Sequence, residues 1–334
     1  MKWNKILFII MLISGTLISI SSYSWFSMWM GLELNLLSFI PLMNEGTPKS
    51  SEASLKYFII QALSSIFVLF SILMTSMINE NLSILGTPLT LILNSALLTK
   101  LGAVPFHFWF PEIIEGLSWM NSLILLTWQK IAPFILISYN FMEINFLWII
   151  IFLSMLISGI MIWNQTSLKK IMVYSSINHM GWMLSILFFN QSIWMNYFLI
   201  YSFMSLTLIL MFQKFKIYTI QNILNSLNFN KLSKLFFFLN FFSLGGLPPF
   251  LGFFPKWMIL KMLLEKNFIF LPLFMVFLTL LTLYIYIQLC IQSLILKFEE
   301  KKNIFSLMKI SILPYFSFLN IFGLIIFLLI LNFA

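Results

Sequence analysis

Leu101-Gly102-Ala103-Val104-Pro105-Phe106-His107-Phe108-Trp109-Phe110-Pro111-Glu112 lies inside an apolar run over residues 88–117. A second such stretch, Leu244-Gly245-Gly246-Leu247-Pro248-Pro249-Phe250-Leu251-Gly252-Phe253-Phe254-Pro255-Lys256, lies inside another run over 234–262. Aligned with one extra residue in the second, both read Leu-Gly-small-apolar-Pro, then aromatics, then Phe-Pro and a charged residue. Proline removes a backbone donor and collides with the preceding turn, so each run predicts a helix broken in mid-course.

The composition around these stretches is that of a membrane chain. Of 334 residues, 61% are hydrophobic and 9% charged, with a mean hydropathy of +1.00. A soluble domain carries about 25% charged residues, and disorder needs low hydrophobicity, so both classes are excluded. The apolar runs are long and do not alternate, which favours helices over a barrel. Eleven spans are predicted, near 3–22, 24–43, 52–78, 88–117, 122–140, 146–163, 168–189, 193–213, 234–262, 267–296 and 307–332. The opening Met1-Lys2-Trp3-Asn4-Lys5 has the look of a signal peptide, but no small-x-small cleavage pattern follows, so it reads as the first transmembrane helix.

The two breaks occupy matching places, in the fourth span and in the fourth span of a second group of five. A unit with an odd number of helices must be inverted when repeated. Paired, Pro/Gly-interrupted spans are the pointer to an inverted-repeat transporter, against the plainer reading that membrane helices tolerate Pro and Gly generally. The expected fold is therefore an all-α integral membrane protein of about eleven transmembrane helices. It comprises two inverted five-helix repeats, 1–143 and 144–297, each with a broken fourth helix, followed by a loop and C-terminal helix over 298–334.

All 19 basic residues are Lys and all 10 acidic residues are Glu. With the N-terminus on the positive side, that side holds fourteen lysines: Lys2, Lys5, Lys49, Lys56, Lys169, Lys170, Lys214, Lys216, Lys231, Lys234, Lys297, Lys301, Lys302 and Lys309. The opposite side holds only Lys261 and Lys266. This asymmetry is an orientation signal rather than a nucleic-acid patch, so the net charge of +9 implies no nucleic-acid partner. An odd number of spans puts the C-terminus on the far side.

Most spans are free of charge, which singles out the exceptions. Glu33 is central in the second span, Lys100 precedes the first break, Lys130 is central in the fifth span and Lys256 follows the second break. Each charge at a helix centre costs about 2.5–3.5 kcal/mol, so four in one chain need a reason. They could fix helix packing in pairs, and Lys256 could reach the interface along its own stem. Alternatively, buried carboxylates and lysines whose proton affinities depend on each other's charge make a proton relay. Na⁺ coordination would need more carboxylates than Glu33. His179, nine residues beyond Lys170 and so about 14 Å deep, and His107, inside the first break, are secondary candidates.

The chain offers no nucleotide-binding glycine fingerprint and no paired histidines for haem. A single Cys290 excludes an intrachain disulfide and a Cys-ligated cluster. Two histidines alone could not build a tetrahedral metal site. Trp3, Trp25, Tyr57 and Tyr218 read as interface anchors, and the abundant Phe and Met as packing.

The motifs together carry a resemblance. Gly31-Leu32-Glu33, Ser51-Glu52-Ala53-Ser54-Leu55-Lys56-Tyr57-Phe58 and Pro105-Phe106-His107-Phe108-Trp109 belong to one pattern. So do Thr127-Trp128-Gln129-Lys130-Ile131-Ala132-Pro133, Asn164-Gln165-Thr166, Tyr174-Ser175-Ser176 and His179-Met180-Gly181-Trp182, and so does the second break. From about residue 3 to residue 300 the chain resembles the chain 2 family of NADH–ubiquinone oxidoreductase, antiporter-like subunits in the membrane arm of respiratory complex I.

The resemblance implies an animal mitochondrial form, lacking three N-terminal helices of bacterial relatives. It implies that Glu33, Lys100, Lys130 and Lys256 match the family's proton-conducting residues. It places the chain in the mitochondrial inner membrane, N-terminus in the matrix and C-terminus in the intermembrane space. The implied partners are other membrane-arm subunits, including neighbouring antiporter-like chains, and phospholipid including cardiolipin. NADH, FMN, Fe–S clusters and ubiquinone would belong to partner subunits, with no cofactor or metal in this chain. A stand-alone cation/proton antiporter and a purely structural arm subunit remain as alternatives.

Overall fold

In a bilayer every backbone polar group must be satisfied internally, and long apolar runs do so as helices. The computed structural model describes residues 2–77, 86–140, 143–222 and 231–295, together with Phe318, Asn320, Ile321 and Gly323. Among the described residues the structure is helical, with one isolated bridge between Ser167 and Thr219. The eleventh predicted span, 307–332, lies outside the described residues apart from those four.

Two compact units divide the chain, Met1–Ile150 and Ile151–Ala334. The first holds α1 (Lys2–Ser21), α2 (Trp25–Met43), α3 (Pro48–Met77), α4 (Gly86–Leu101), α5 (Trp109–Gly116), α6 (Trp119–Leu126) and α7 (Trp128–Tyr139). The division falls within α8 (Ile144–Met161). The second unit continues with α9 (Leu168–Leu187), α10 (Gln191–Phe215), α11 (Lys231–Gly245), α12 (Phe253–Glu265) and α13 (Phe270–Ile295). Among the described residues seven segments are long and apolar enough to cross a membrane: α1, α2, α3, the pair α6–α7, α8 with its last turn, α10 and α13. The remaining described runs are the two broken ones and α9.

In α9 the polar content has a physical reason. Every residue of the helix except Lys170 is buried by protein, including Ser175, Ser176, Asn178 and His179. Polar groups in a membrane chain face the bundle interior, where neighbouring helices can satisfy them.

Three expectations are corrected here. The third helix starts at Pro48 rather than 52, because proline suits the first helical position. Thr47 caps it reciprocally: the Ser50 N–H donates to Thr47 Oγ1 (3.3 Å) and the Thr47 N–H to Ser50 Oγ (3.2 Å). The fifth span is not one helix over 122–140. It starts at Trp119 and is interrupted at Thr127, whose backbone (φ −116°, ψ −73°) departs from the helix. Pro133, inside α7, denies the Gln129 carbonyl its usual helical donor. Finally, Tyr57 is not an interface anchor. It is buried between Phe39 (5.4 Å between ring centroids) and Trp109 (6.1 Å), whereas Trp3 and Tyr218 are exposed.

Helices α1 and α2 pack through small residues that let backbones touch. A Cβ on Gly31 would stand 2.6 Å from the Ser19 nitrogen and 2.8 Å from the Gly15 oxygen. A Cβ on Gly15 would meet the Asn35 nitrogen at 2.9 Å.

Candidate proton-relay site

Both broken helices end the same way. At the first, the Gly102 N–H donates to Thr99 O and the Ala103 N–H to Leu98 O, both at 3.1 Å, with Gly102 at φ +73°. At the second, the Gly246 N–H donates to Ser243 O (3.1 Å) and the Leu247 N–H to Phe242 O (3.3 Å), with Gly246 at φ +76°. Each is a helix terminus closed by a left-handed glycine, the conformation that glycine adopts without a Cβ penalty.

This geometry corrects the register read from the sequence. Gly102 pairs with Gly246, not with Gly245, and no extra residue is needed. Pro105 then matches Pro249, each following a cis peptide bond. Trp109 and Phe253 both start the helix that follows, and Glu112 matches Lys256.

Lys100 sits in the last turn of α4 and is buried, at the helix end where the dipole favours a cation. Glu33 is the carboxylate whose charge acts on it. Glu33 itself is half-buried on α2. Exposed Phe26, Met30 and Leu37 lie at helical spacing on its face.

Lys130 lies in the first turn of α7, just past the Thr127 interruption, and is 2% exposed. Its Nζ stands 5.5 Å from the centroid of the Phe110 ring. That ring also packs over Gly102 of the first break. The neighbouring Gln129 donates to Asn35 Oδ1 at 2.8 Å, tying α7 to the helix of Glu33.

Lys256, in the first turn of α12, reaches back to the end of α11. Its ammonium donates to Gly245 O at 2.8 Å and lies 5.8 Å from the centroid of the Trp182 ring. The orphan carbonyls of a broken helix are thus partly satisfied by a lysine from beyond the break.

The histidines occupy different settings. His107 is buried within the first break, its ring 4.5 Å from Phe108, and its Nδ1 has no hydrogen-bond partner among the described residues. His179 shares a 2.8 Å hydrogen bond through Nδ1 with the Tyr197 hydroxyl, and its ring lies 5.0 Å from that of Tyr201. Beside it, Asn178 donates to Thr282 Oγ1 at 2.9 Å.

The sequence reading missed the tyrosines of this second network. Tyr197, Tyr201 and Tyr286 are buried, with Tyr201 beside Ser176 and Tyr286 beside Ser175. The available signal was spacing, since Tyr197 and Tyr201 share one face of an otherwise apolar span. Among the described residues no group of three or more His, Cys, Asp or Glu is placed to hold a metal ion.

Paired broken helices in a helical membrane chain are a transporter-type architecture, and the comparisons give its class. Residues 22–282 match the family model described as NADH:quinone oxidoreductase/Mrp antiporter, transmembrane. The chain belongs to the NADH–ubiquinone oxidoreductase chain 2 family. It is 50% identical to the chain 2 protein of Anopheles gambiae over 331 residues, 97% of each chain. It is also 50% identical to that of Aedes aegypti over 336 residues, 98% of each. Its fold is similar to that of a chain in respiratory complex I from Thermus thermophilus with bound aureothin. The TM-score there is 0.79 at 22% identity, covering 87% of this chain and 70% of that one.

Proposed function

We propose that this chain is a membrane-arm subunit of respiratory NADH–ubiquinone oxidoreductase in the mitochondrial inner membrane, and that it moves protons while partner subunits oxidise NADH and reduce ubiquinone. The observation that carries the reading is that Lys100, Lys130 and Lys256 are all buried and all lie at a helix interruption. An interruption is where irregular backbone can line a water-filled cavity, and a buried lysine there can change charge when a neighbour does.

In this reading Lys100 and Lys130 are the central carriers and Lys256 the carrier toward the exit side, with His179 and His107 in secondary roles. Glu33 couples charge to an adjoining membrane-arm chain. Its half-exposure among Phe26, Met30 and Leu37 supports this, because a carboxylate in lipid is costly and a protein partner would cover it. The lysine-rich loops face the matrix, the C-terminus lies in the intermembrane space, and phospholipid including cardiolipin covers the outer faces. Flavin, iron–sulfur and quinone chemistry belong to the partner subunits.

Lys130→Met in the assembled complex tests the reading. Protons moved per electron and coupled NADH–quinone turnover are expected to fall while assembly persists. A normal proton-to-electron ratio in that complex would overturn the assignment and favour a purely structural role for the buried charges.

A further inference from the structure

Among its described residues the second unit holds a buried ammonium, that of Lys256, and no buried carboxylate. Among the described residues of that unit, Glu265 is the one acidic side chain; it is exposed and stands 4.0 Å from Lys261. An uncompensated charge inside a membrane protein is costly, which gives weight to the neutral groups that meet Lys256. Two neutral groups meet its ammonium among the described residues, the Gly245 carbonyl and the face of Trp182, while its stem packs on Gly246.

We infer that Trp182 is a positioning residue for Lys256, its indole face and the Gly245 carbonyl together holding the ammonium at the second break. The inference rests on the reading of Lys256 as a proton carrier. Tryptophan offers a cation the strongest aromatic face, and the attraction grows where water is absent. The ring is 1% exposed and its N–H has no hydrogen-bond partner among the described residues, so no bond of its own dictates where it lies. Its place is set by the packing of α9. Gly181, the residue before it, lets α9 come close to α8, a Cβ there lying 2.7 Å from Met155 Cγ and 2.8 Å from Ser154 Oγ.

The groups on the helices packed against α12 give Lys256 no competing counter-charge. From α9 comes His179, bonded to Tyr197 of α10. Tyr201 of α10 lies against the His179 ring, and Tyr286 of α13 against Gly245. The lysines of α9 stand at its start, where the Lys169 ammonium faces the Tyr218 ring. None of these is a carboxylate.

The test measures protons moved per electron against pH in the intact complex carrying Trp182→Leu, Trp182→Phe or Lys256→Met. Lys256→Met is expected to lose pumping at every pH. Trp182→Leu, which removes the aromatic face, should bring the alkaline fall in pumping about one pH unit lower. Trp182→Phe keeps a weaker face and should shift it in the same direction by less. Should the Leu chain not assemble, Trp182→Met supplies a longer and more adaptable side chain without a face. Coincident profiles for the aromatic and aliphatic variants, or no shift in the aliphatic one, would reduce Trp182 to packing and overturn the inference alone. Normal pumping by Lys256→Met would instead remove the carrier reading and this inference with it.

Discussion

The two broken helices share a backbone and differ in what they hold. Both close on a left-handed glycine and both resume as helix at corresponding residues. In the first, the lysine belongs to the helix that ends there, and the position matching Lys256 is Glu112. That carboxylate is exposed and paired with Lys56 at 3.0 Å. In the second, the lysine arrives from the helix that begins afterwards and binds the terminal carbonyl. Where the first has Phe108 pointing outward, the second has Gly252, whose backbone packs against the Ser243 carbonyl. The first break anchors itself with an indole instead, the Trp109 N–H donating to Thr99 O at 3.1 Å. One backbone device thus serves a cation supplied from either side of the break.

Substitutions at matched positions can break or sharpen this comparison. The largest expected difference is between Lys256→Met and Glu112→Met. The first should slow proton transfer about a hundredfold or more, the scale of a positioned proton-transfer group, while the second leaves it near normal. Proton flux in reconstituted vesicles containing the complex reads both, and equal losses would end the distinction.

Gly246→Ala against Gly102→Ala comes next. Each forces a side chain into left-handed backbone, costing about 1–2 kcal/mol. Only at Gly246 would the new methyl strike the lysine, with Cδ and Nζ both at 2.9 Å. Both variants should lower the thermal stability of the complex similarly, while Gly246→Ala alone loses most of its pumping. A Gly102→Ala complex equally impaired in pumping would show that the glycine matters only as a turn.

Trp109→Phe should destabilise the first break by about 1 kcal/mol through the lost hydrogen bond, visible as a lower melting temperature with pumping largely kept. Glu112→Gln is the smallest. Exposed ion pairs contribute about 0–1 kcal/mol and are screened by salt, so its melting temperature should match that of the unsubstituted chain at high ionic strength.

The sequence made the buried lysines and Glu33 legible because a charge in an apolar run has no cheap explanation. It made the breaks legible because proline denies the helix a donor wherever it falls. The register between them was not legible, since Gly245 and Gly246 both fit the motif and only backbone torsion distinguishes them. The Thr127 interruption was also hidden, as threonine is ordinary within helices and Pro133 lies six residues on. Tyrosine burial escaped for a different reason. Composition says that an aromatic belongs in a membrane protein, whereas its depth depends on which helices surround it, as they do for Tyr57, Tyr197, Tyr201 and Tyr286.

Gly31 stands two residues before Glu33, and its contact with Ser19 and Gly15 of α1 is backbone on backbone. Side chains can swing to absorb a small sliding of one helix along another, but main-chain atoms in direct contact cannot. The seam therefore works as a depth gauge. The height of the Glu33 carboxylate within the bilayer is referenced to the N-terminal helix, and a single methyl group added at Gly31 would reset it.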